Sequence, residues 1–167
     1  MNSRQRDVLD FWFRELTPQD WFQAGEKLDP VVRQRFGALV EEARAGALDD
    51  WAEDRLGRLA LIILLDQFPR HIYRGTAQAF SSDRRAQQLA LEGIAAGVDE
   101  QLAASQRHFF YMPLMHAEDP ALQAKSMERF TALRDYADWI LQFAQGHSDE
   151  IAQSGRFTGR DAALGRS

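Results

Sequence analysis

Residues 54–69 read DRLGRLALIILLDQFP and form the most apolar stretch of the chain. The stretch is too long and too rich in leucine for a single strand, and Pro69 bounds it, so we predict the central buried helix here. Its unbroken apolar part, residues 59–65, is far short of the roughly 20 residues that cross a bilayer, so no membrane span is expected. The run ends in Asp66. Because an unpaired buried carboxylate is costly, Asp66 is expected to have a cationic or hydrogen-bonding partner.

Helix start and stop signals divide the rest of the chain. Asp-Pro pairs at 29–30 and 119–120 indicate helix starts, because the aspartate accepts from free backbone amides and proline suits the first turn. Gly46 and Gly97 follow helically spaced apolar residues and are expected to end their helices. The last long helix is expected to break near Asp135. Strand-like alternation is too short to indicate a sheet, so we predict an all-α fold of about seven helices in antiparallel pairs.

The composition is typical of one globular domain in a reducing compartment. Apolar residues make up 45% of the chain and charged residues 27%. The chain has no cysteine, which excludes disulfides and thiolate chemistry within it. We predict a single helical domain over residues 1–153 and a tail containing glycine and arginine over 154–167. Asp7 and Asp10 interrupt the apolar residues near the N-terminus, unlike in a signal peptide, so a cytoplasmic location is expected.

Charge and motifs narrow the classes of function. A net charge of −5 argues against nucleic acid as a partner, since phosphate binding needs a basic face. The chain has no glycine-rich phosphate loop and no Gly-x-Ser-x-Gly turn, which disfavours nucleotide binding and the serine hydrolases. It also has no Glu-x-x-His pair of the kind that builds di-metal bundles. We therefore predict no cofactor and no metal.

Polar residues follow the apolar run within two helical turns. Arg70 stands four residues after Asp66, a spacing that places both on one helical face. One interpretation is a local pair that shapes the helix end. The other is an anion site in which Asp66 positions Arg70 and Arg74, and Gln67 adds a neutral donor and acceptor.

A second polar group follows Pro113, where a helix end is expected. His116 and Glu118 form a His-x-Glu pair, which suits acid and base work because imidazole titrates near neutrality. In that interpretation Glu118 or Asp66 orients His116. Two alternatives remain: His116 is a metal ligand, or it is a structural histidine that supports the helix start at Asp119.

Arginines are concentrated in the C-terminal tail. Arg156, Arg160 and Arg166 carry guanidinium groups, which match carboxylates and phosphates in geometry. We therefore include Arg156 and Arg160 among the candidate ligand-binding residues. Since Lys27 and Lys125 are the only lysines, a general preference for arginine in the genome is the alternative explanation.

Three stretches resemble the DUF924 family of uncharacterised bacterial proteins. They are LLDQFPRHIYRGTAQAFSSD at 64–83, PLMHAEDPALQ at 113–123 and GRFTGRDAALGR at 155–166. The resemblance implies an all-helical fold similar to tetratricopeptide-like domains, and it implies no activity, because the family has no established one. The chain departs from the family's pattern in the tail, where Thr158, Gly159 and Asp161 replace the usual proline, histidine and asparagine.

Three hypotheses for the function follow. The first is a groove between helices that binds a small anionic ligand or an acidic peptide. The second is an enzyme that uses His116 as acid or base beside an arginine anion site. The third is a scaffold that acts through a protein partner or a homodimer face. The groove of the first hypothesis would be lined by Asp66, Gln67, Arg70, Arg74, His116 and Glu118.

Overall fold

The computed structural model describes residues 1–166, and within them every regular element is helical. The predicted all-α class is confirmed, whereas the tetratricopeptide-like arrangement stays a prediction. The α-helices are α1 (Ser3–Asp10), α2 (Pro18–Gln23), α3 (Asp29–Arg44), α4 (Arg55–Ile62), α5 (Phe68–Ile72), α6 (Asp83–Ala95), α7 (Ala104–Met115), α8 (Pro120–Ser154) and α9 (Asp161–Leu164). Within residues 1–166 no helix has both the length and the apolar composition of a membrane span.

Local chemistry explains several helix ends. Asp119 caps α8, where its Oδ1 accepts from the backbone N–H groups of Ala121 and Leu122 at 2.8 and 3.0 Å. Gly46 and Gly97 follow α3 and α6 with φ of +79° and +68°, the left-handed conformation that glycine adopts without steric cost. The break expected near Asp135 is wrong, because α8 continues from Pro120 to Ser154. No proline interrupts it, and glycine is tolerated inside a helix.

The chain divides into two compact units by its internal contacts. Unit 1 comprises residues 1–127, and unit 2 the described residues from 128 onward. Every buried apolar side chain among the described residues lies between Val8 and Ala117, so the hydrophobic core belongs to unit 1. At its centre Trp12 packs against Phe68 and Phe109 with ring centroids 5.6 and 5.3 Å apart. The predicted boundary at residues 153/154 stays a prediction.

Helices α4 and α5 form one central helix that widens just before Pro69. The connecting segment Ile63–Gln67 has π-helical geometry. Pro69 has no N–H, so the carbonyl oxygen of Leu65 lacks its usual partner four residues on. The hydroxyl of Ser82 donates to that carbonyl instead, at 2.7 Å. Wide turns of this kind often occur at functional sites, and this one contains Asp66.

Unit 2 consists of the main part of α8 and a short C-terminal segment. The backbone N–H and the hydroxyl of Thr158 both donate to Glu150, at 2.8 and 2.9 Å. Arg156 pairs with Asp161 at 3.0 Å. These contacts hold the last residues together with the end of α8. None of the described residues of this unit is buried.

Candidate functional site

A cleft of about 1070 Å³ lies within unit 1. Its walls come from the end of α5, the turn Ala77–Phe80, helix α6, and the junction of α7 and α8. The lining residues are Arg70, Phe80, Asp83, Arg84, Gln87, Gln88, Leu91, His116, Ala117, Glu118, Asp119 and Leu122. The set combines an apolar surface with charged groups of both signs, as small-molecule sites do.

The carboxylate of Asp66 lies beneath the cleft and is entirely buried, with 0% exposure. Its Oδ1 is 2.9 Å from His116 Nδ1 and 3.4 Å from Arg70 Nη1. Its Oδ2 accepts from the side-chain amide of Gln67. A buried charge persists only when it is paired and hydrogen-bonded, so these three side chains supply the partners that the sequence analysis expected.

His116 ends helix α7 and connects Asp66 to the cleft. Its backbone N–H donates to the carbonyl of Met112 at 3.0 Å, which holds the residue at the helix end. The side chain is 23% exposed and lines the cleft. With Nδ1 directed to Asp66, the neutral imidazole carries its proton on Nδ1 and keeps Nε2 as an acceptor. Nε2 has no hydrogen-bond partner within residues 1–166.

Arg70 is bound on several sides. Its guanidinium forms two parallel hydrogen bonds to Asp83, both 2.9 Å long, and also donates to the backbone carbonyl of Asp66. The group lies over the ring of Phe80, 5.5 Å from its centroid. Because the carboxylate of Asp83 already accepts from both terminal nitrogens of the guanidinium, Arg70 acts mainly as a structural link between α5 and α6.

Arg74 does not line the cleft. Its guanidinium binds Asp29 at 2.6 and 2.8 Å, and Asp29 also lies 2.9 Å from His71 Nδ1. The hydrogen bond from Arg74 lowers the pKa of the Asp29 carboxyl. Burial lowers the pKa of His71, although the neighbouring Asp29 opposes that shift. Arg74 therefore belongs to a separate cluster with Asp29 and His71.

Glu118 lines the cleft, but the carboxylate that contacts His116 is that of Asp66. Phe80, Asp83 and Arg84 also line the cleft, although they were not candidate site residues from the sequence. Arg84 and Glu118 are exposed and have no hydrogen-bond or ion-pair partner within the described chain. The only sequence signal for Phe80, Asp83 and Arg84 is that they lie in or next to residues 64–83, one of the stretches that resemble the family.

The two tail arginines that were candidates for ligand binding belong to unit 2. Arg156 pairs with Asp161, and the guanidinium of Arg160 lies 4.5 Å from the ring centroid of Phe157. Both arginines thus have contacts within their own unit. Among residues 1–166 no group of three or more histidine, aspartate or glutamate side chains is arranged to hold a metal ion.

Within residues 1–166 the cleft combines the imidazole of His116 with the exposed guanidinium of Arg84. His116 Nε2 can accept or return a proton at the cleft while Asp66 keeps the ring oriented. The exposed Arg84 can contact an anionic group. None of the lining residues carries a hydroxyl or an amine, so the nucleophilic groups in the lining are carboxylates and the imidazole of His116.

Comparison with known proteins places this chain in a family. Its structure is similar to that of a protein of unknown function, ATU0120 from Agrobacterium tumefaciens, with a TM-score of 0.74. The two are 34% identical, over 99% of this chain and 92% of that chain. No curated protein matches the chain. A family model, described as bacterial protein of unknown function (DUF924), matches residues 8–167 and confirms the resemblance noted from the sequence. The chain therefore belongs to the DUF924 family of bacterial proteins.

Proposed function

We propose that the cleft of unit 1 binds a small polar molecule with an anionic group, and that His116 exchanges a proton with it as general acid and base. The hydrogen bond from His116 Nδ1 to the buried Asp66 carries the proposal. It holds the ring in one orientation and leaves Nε2 for the ligand. Of the three hypotheses from the sequence, this one joins the ligand groove to the acid and base role of His116.

Arg84 is the group that contacts the anion. Arg70 is the less suitable cation, because Asp83 already occupies its fork. The carboxylates of Asp83, Glu118 and Asp119 also line the cleft and would repel a segment with several acidic residues. A single anionic group on a small molecule thus fits better than an acidic peptide.

The reaction is a proton transfer or a hydrolysis in which His116 activates water. Either reaction is consistent with a cleft whose lining contains no serine, threonine, tyrosine or lysine. Phe80, Leu91 and Leu122 provide the apolar surface for the rest of the substrate. The cleft volume, about 1070 Å³, lies just above the usual range for small-molecule sites, about 300–1,000 Å³.

A thermal-shift panel of small carboxylates and phosphate monoesters tests the binding step. A ligand at 100 times its Kd stabilises the folded protein by roughly 2.7 kcal/mol. We expect Arg84→Gln to lose the shift and Arg6→Gln, which removes an exposed arginine outside the cleft, to keep it. A panel without any shift, or a shift that survives Arg84→Gln, would contradict the proposed anion contact.

Proton exchange is tested on the ligands that bind. Each is incubated with the protein in D₂O and followed by ¹H NMR for deuterium incorporation or product formation. We expect His116→Asn to abolish turnover while the thermal shift remains, and Gln87→Asn, a small change elsewhere in the lining, to leave turnover in place. Binding without turnover in the wild type would refute the acid and base role and leave a binding protein.

A further inference from the structure

The cleft of unit 1 is lined by more carboxylates than guanidinium groups. Apart from His116, the charged residues of its lining within residues 1–166 are Arg70, Asp83, Arg84, Glu118 and Asp119. Three of these five are negative and two are positive. A molecule that carries only anionic groups would therefore enter the cleft against its overall charge. A molecule that also carries a cationic group would not.

Contacts within the chain already occupy three of these five groups. Asp83 accepts two hydrogen bonds from Arg70, both 2.9 Å long. Asp119 caps α8 and accepts from two backbone N–H groups at 2.8 and 3.0 Å. Within residues 1–166, Arg84 and Glu118 have no hydrogen-bond or ion-pair partner. One guanidinium and one carboxylate thus remain for a ligand.

The backbone on both sides of Glu118 is held in place. The side-chain amide of Gln123 donates to the carbonyl oxygens of Met115 and Ala117, at 2.8 and 2.7 Å. The cap formed by Asp119 follows Glu118 directly and begins α8. A carboxylate on a backbone held in this way loses less conformational entropy when it binds a ligand.

Arg84 lies on a different wall of the cleft from Glu118. It belongs to the first turn of α6, whereas Glu118 belongs to the junction of α7 and α8. Gln88 and Leu91 follow Arg84 by four and seven residues, on the same helical face, and both line the cleft. No ion pair within the described chain joins Arg84 to Glu118, so the two groups leave room between them for a ligand.

We propose that the ligand of this cleft is a small zwitterion, with an anionic group that contacts Arg84 and an ammonium group that contacts Glu118. Free amino acids and the termini of short peptides share this chemistry. The inference rests on the proposed function, in which Arg84 binds the anionic group, and it adds a second recognised group to the ligand. Phe80, Leu91 and Leu122 line the same cleft and favour a zwitterion with an apolar side chain.

Binding measurements on the full-length protein test the ammonium contact. The probes are L-phenylalanine, 3-phenylpropionate, which lacks the ammonium group, and phenethylamine, which lacks the carboxylate. The dipeptide alanylphenylalanine and its N-acetyl derivative form a second arm, which distinguishes a short peptide from a free amino acid. We expect at least one zwitterion to raise the Tm more than its analogue without the ammonium group. Calorimetric titration should give that zwitterion a Kd lower by about fivefold, as a partly exposed charge pair supports.

Two substitutions at Glu118 test which residue gives this preference. Glu118→Gln removes the charge and keeps the size, so we expect it to bind the zwitterion no more tightly than the analogue without the ammonium group. Glu118→Lys should reverse the preference, because the new charge repels the ammonium group and attracts a carboxylate. Glu53→Gln changes an exposed glutamate outside the cleft and should keep the preference of the wild type.

The results that contradict this inference differ from those that contradict the proposed function. If both zwitterions bind no more tightly than their analogues, or if Glu118→Gln keeps the preference, the ammonium contact is wrong and Arg84→Gln still tests the anion contact. If these probes give no shift while other carboxylates or phosphate monoesters do, the zwitterion alone is wrong. If no anionic compound shifts the Tm, the proposed function fails together with this inference.

Discussion

At position 66 a carboxylate lies entirely out of solvent, and the side chains of His116, Arg70 and Gln67 surround it. The two cationic or titrating partners come from different helices, so Asp66 links the central helix to the end of α7. Its charge therefore contributes to folding as well as to the orientation of His116.

Asp66→Asn tests the structural part of that role. The amide keeps the shape but not the charge, so it weakens the hydrogen bonds from His116 and Arg70. We expect the free energy of unfolding, measured in urea, to fall by roughly 2–4 kcal/mol. Glu118→Gln, an exposed change in the same cleft, should remain within about 0.5 kcal/mol of the wild type. Equal effects of the two substitutions would contradict the account.

Two histidines predict a pH dependence of stability. Burial lowers the pKa of His71 and of His108. Between those lowered values and about pH 6.5, the ordinary value, the unfolded chain binds more protons than the folded one, so stability falls as the pH falls. We expect the double variant His71→Gln/His108→Gln to lose less stability than the wild type between pH 7.5 and 5.5 in urea titrations. If the double variant loses as much stability as the wild type between pH 7.5 and 5.5, these histidines are not the source of the pH dependence.

The sequence could predict single residues of the site better than their partners. Asp66 ends an apolar run, and His116 follows Pro113 near a helix end, so both positions stand out locally. The pairing of Arg74 with Asp29, 45 residues away, depends on how α3 packs against α5. No spacing rule along one helix contains that information.

At the scale of the element, the central helix depends on a side chain that donates to the backbone carbonyl left free by Pro69. Ser82 is buried and donates to the carbonyl of Leu65. Ser82→Ala leaves that carbonyl without its partner, so we expect a loss of about 1–3 kcal/mol in the free energy of unfolding. Ser81→Ala changes the exposed neighbouring serine and should cost at most about 0.5 kcal/mol. Similar losses for the two variants would mean that the Ser82 bond does not stabilise the wide turn.

The contact between α6 and α7 requires a glycine. A Cβ atom added at Gly93 would lie 2.4 Å from Cζ of Phe110. A Cβ atom added at Gly37, in α3, would have no such neighbouring atom within 4 Å. We expect Gly93→Ala to destabilise the protein by about 1–3 kcal/mol, because overpacking outweighs the better helix propensity. Gly37→Ala should stabilise it by up to about 1 kcal/mol. Thermal unfolding measures both, and a stabilising Gly93→Ala would contradict the packing described.

Helix existence could be predicted at this scale, whereas helix continuity could not. The start signals at 29–30 and 119–120 and the stop signals at Gly46 and Gly97 are local, and helices begin and end there. The predicted cap at Asp29 is wrong, because its carboxylate binds Arg74 and His71 instead of the backbone amides of α3. The wide turn at Ile63–Gln67 precedes Pro69, and the residue that donates to its free carbonyl, Ser82, comes from elsewhere in the chain. Asp135 shows the converse, since a polar residue inside an amphipathic pattern did not end α8.

At the scale of the whole molecule, the all-α class follows from composition and helix periodicity, and the family comparison agrees with it. The division into two units does not follow from them. Aromatic residues at helical spacing predict burial in a core, yet Trp139 is 55% exposed. Periodicity identifies an apolar face and cannot say whether the same chain or another copy covers it.

The most direct measurement for the proposed function is the protonation of the two ring nitrogens of His116. Long-range ¹H–¹⁵N NMR on ¹⁵N-histidine-labelled protein at alkaline pH, where imidazole is neutral, distinguishes the two tautomers. The account predicts the proton on Nδ1 and a bare Nε2 in the wild type, and loss of that preference in Asp66→Asn. A proton on Nε2 in the wild type would contradict it, because His116 would then present a donor to the cleft and could not act as a base.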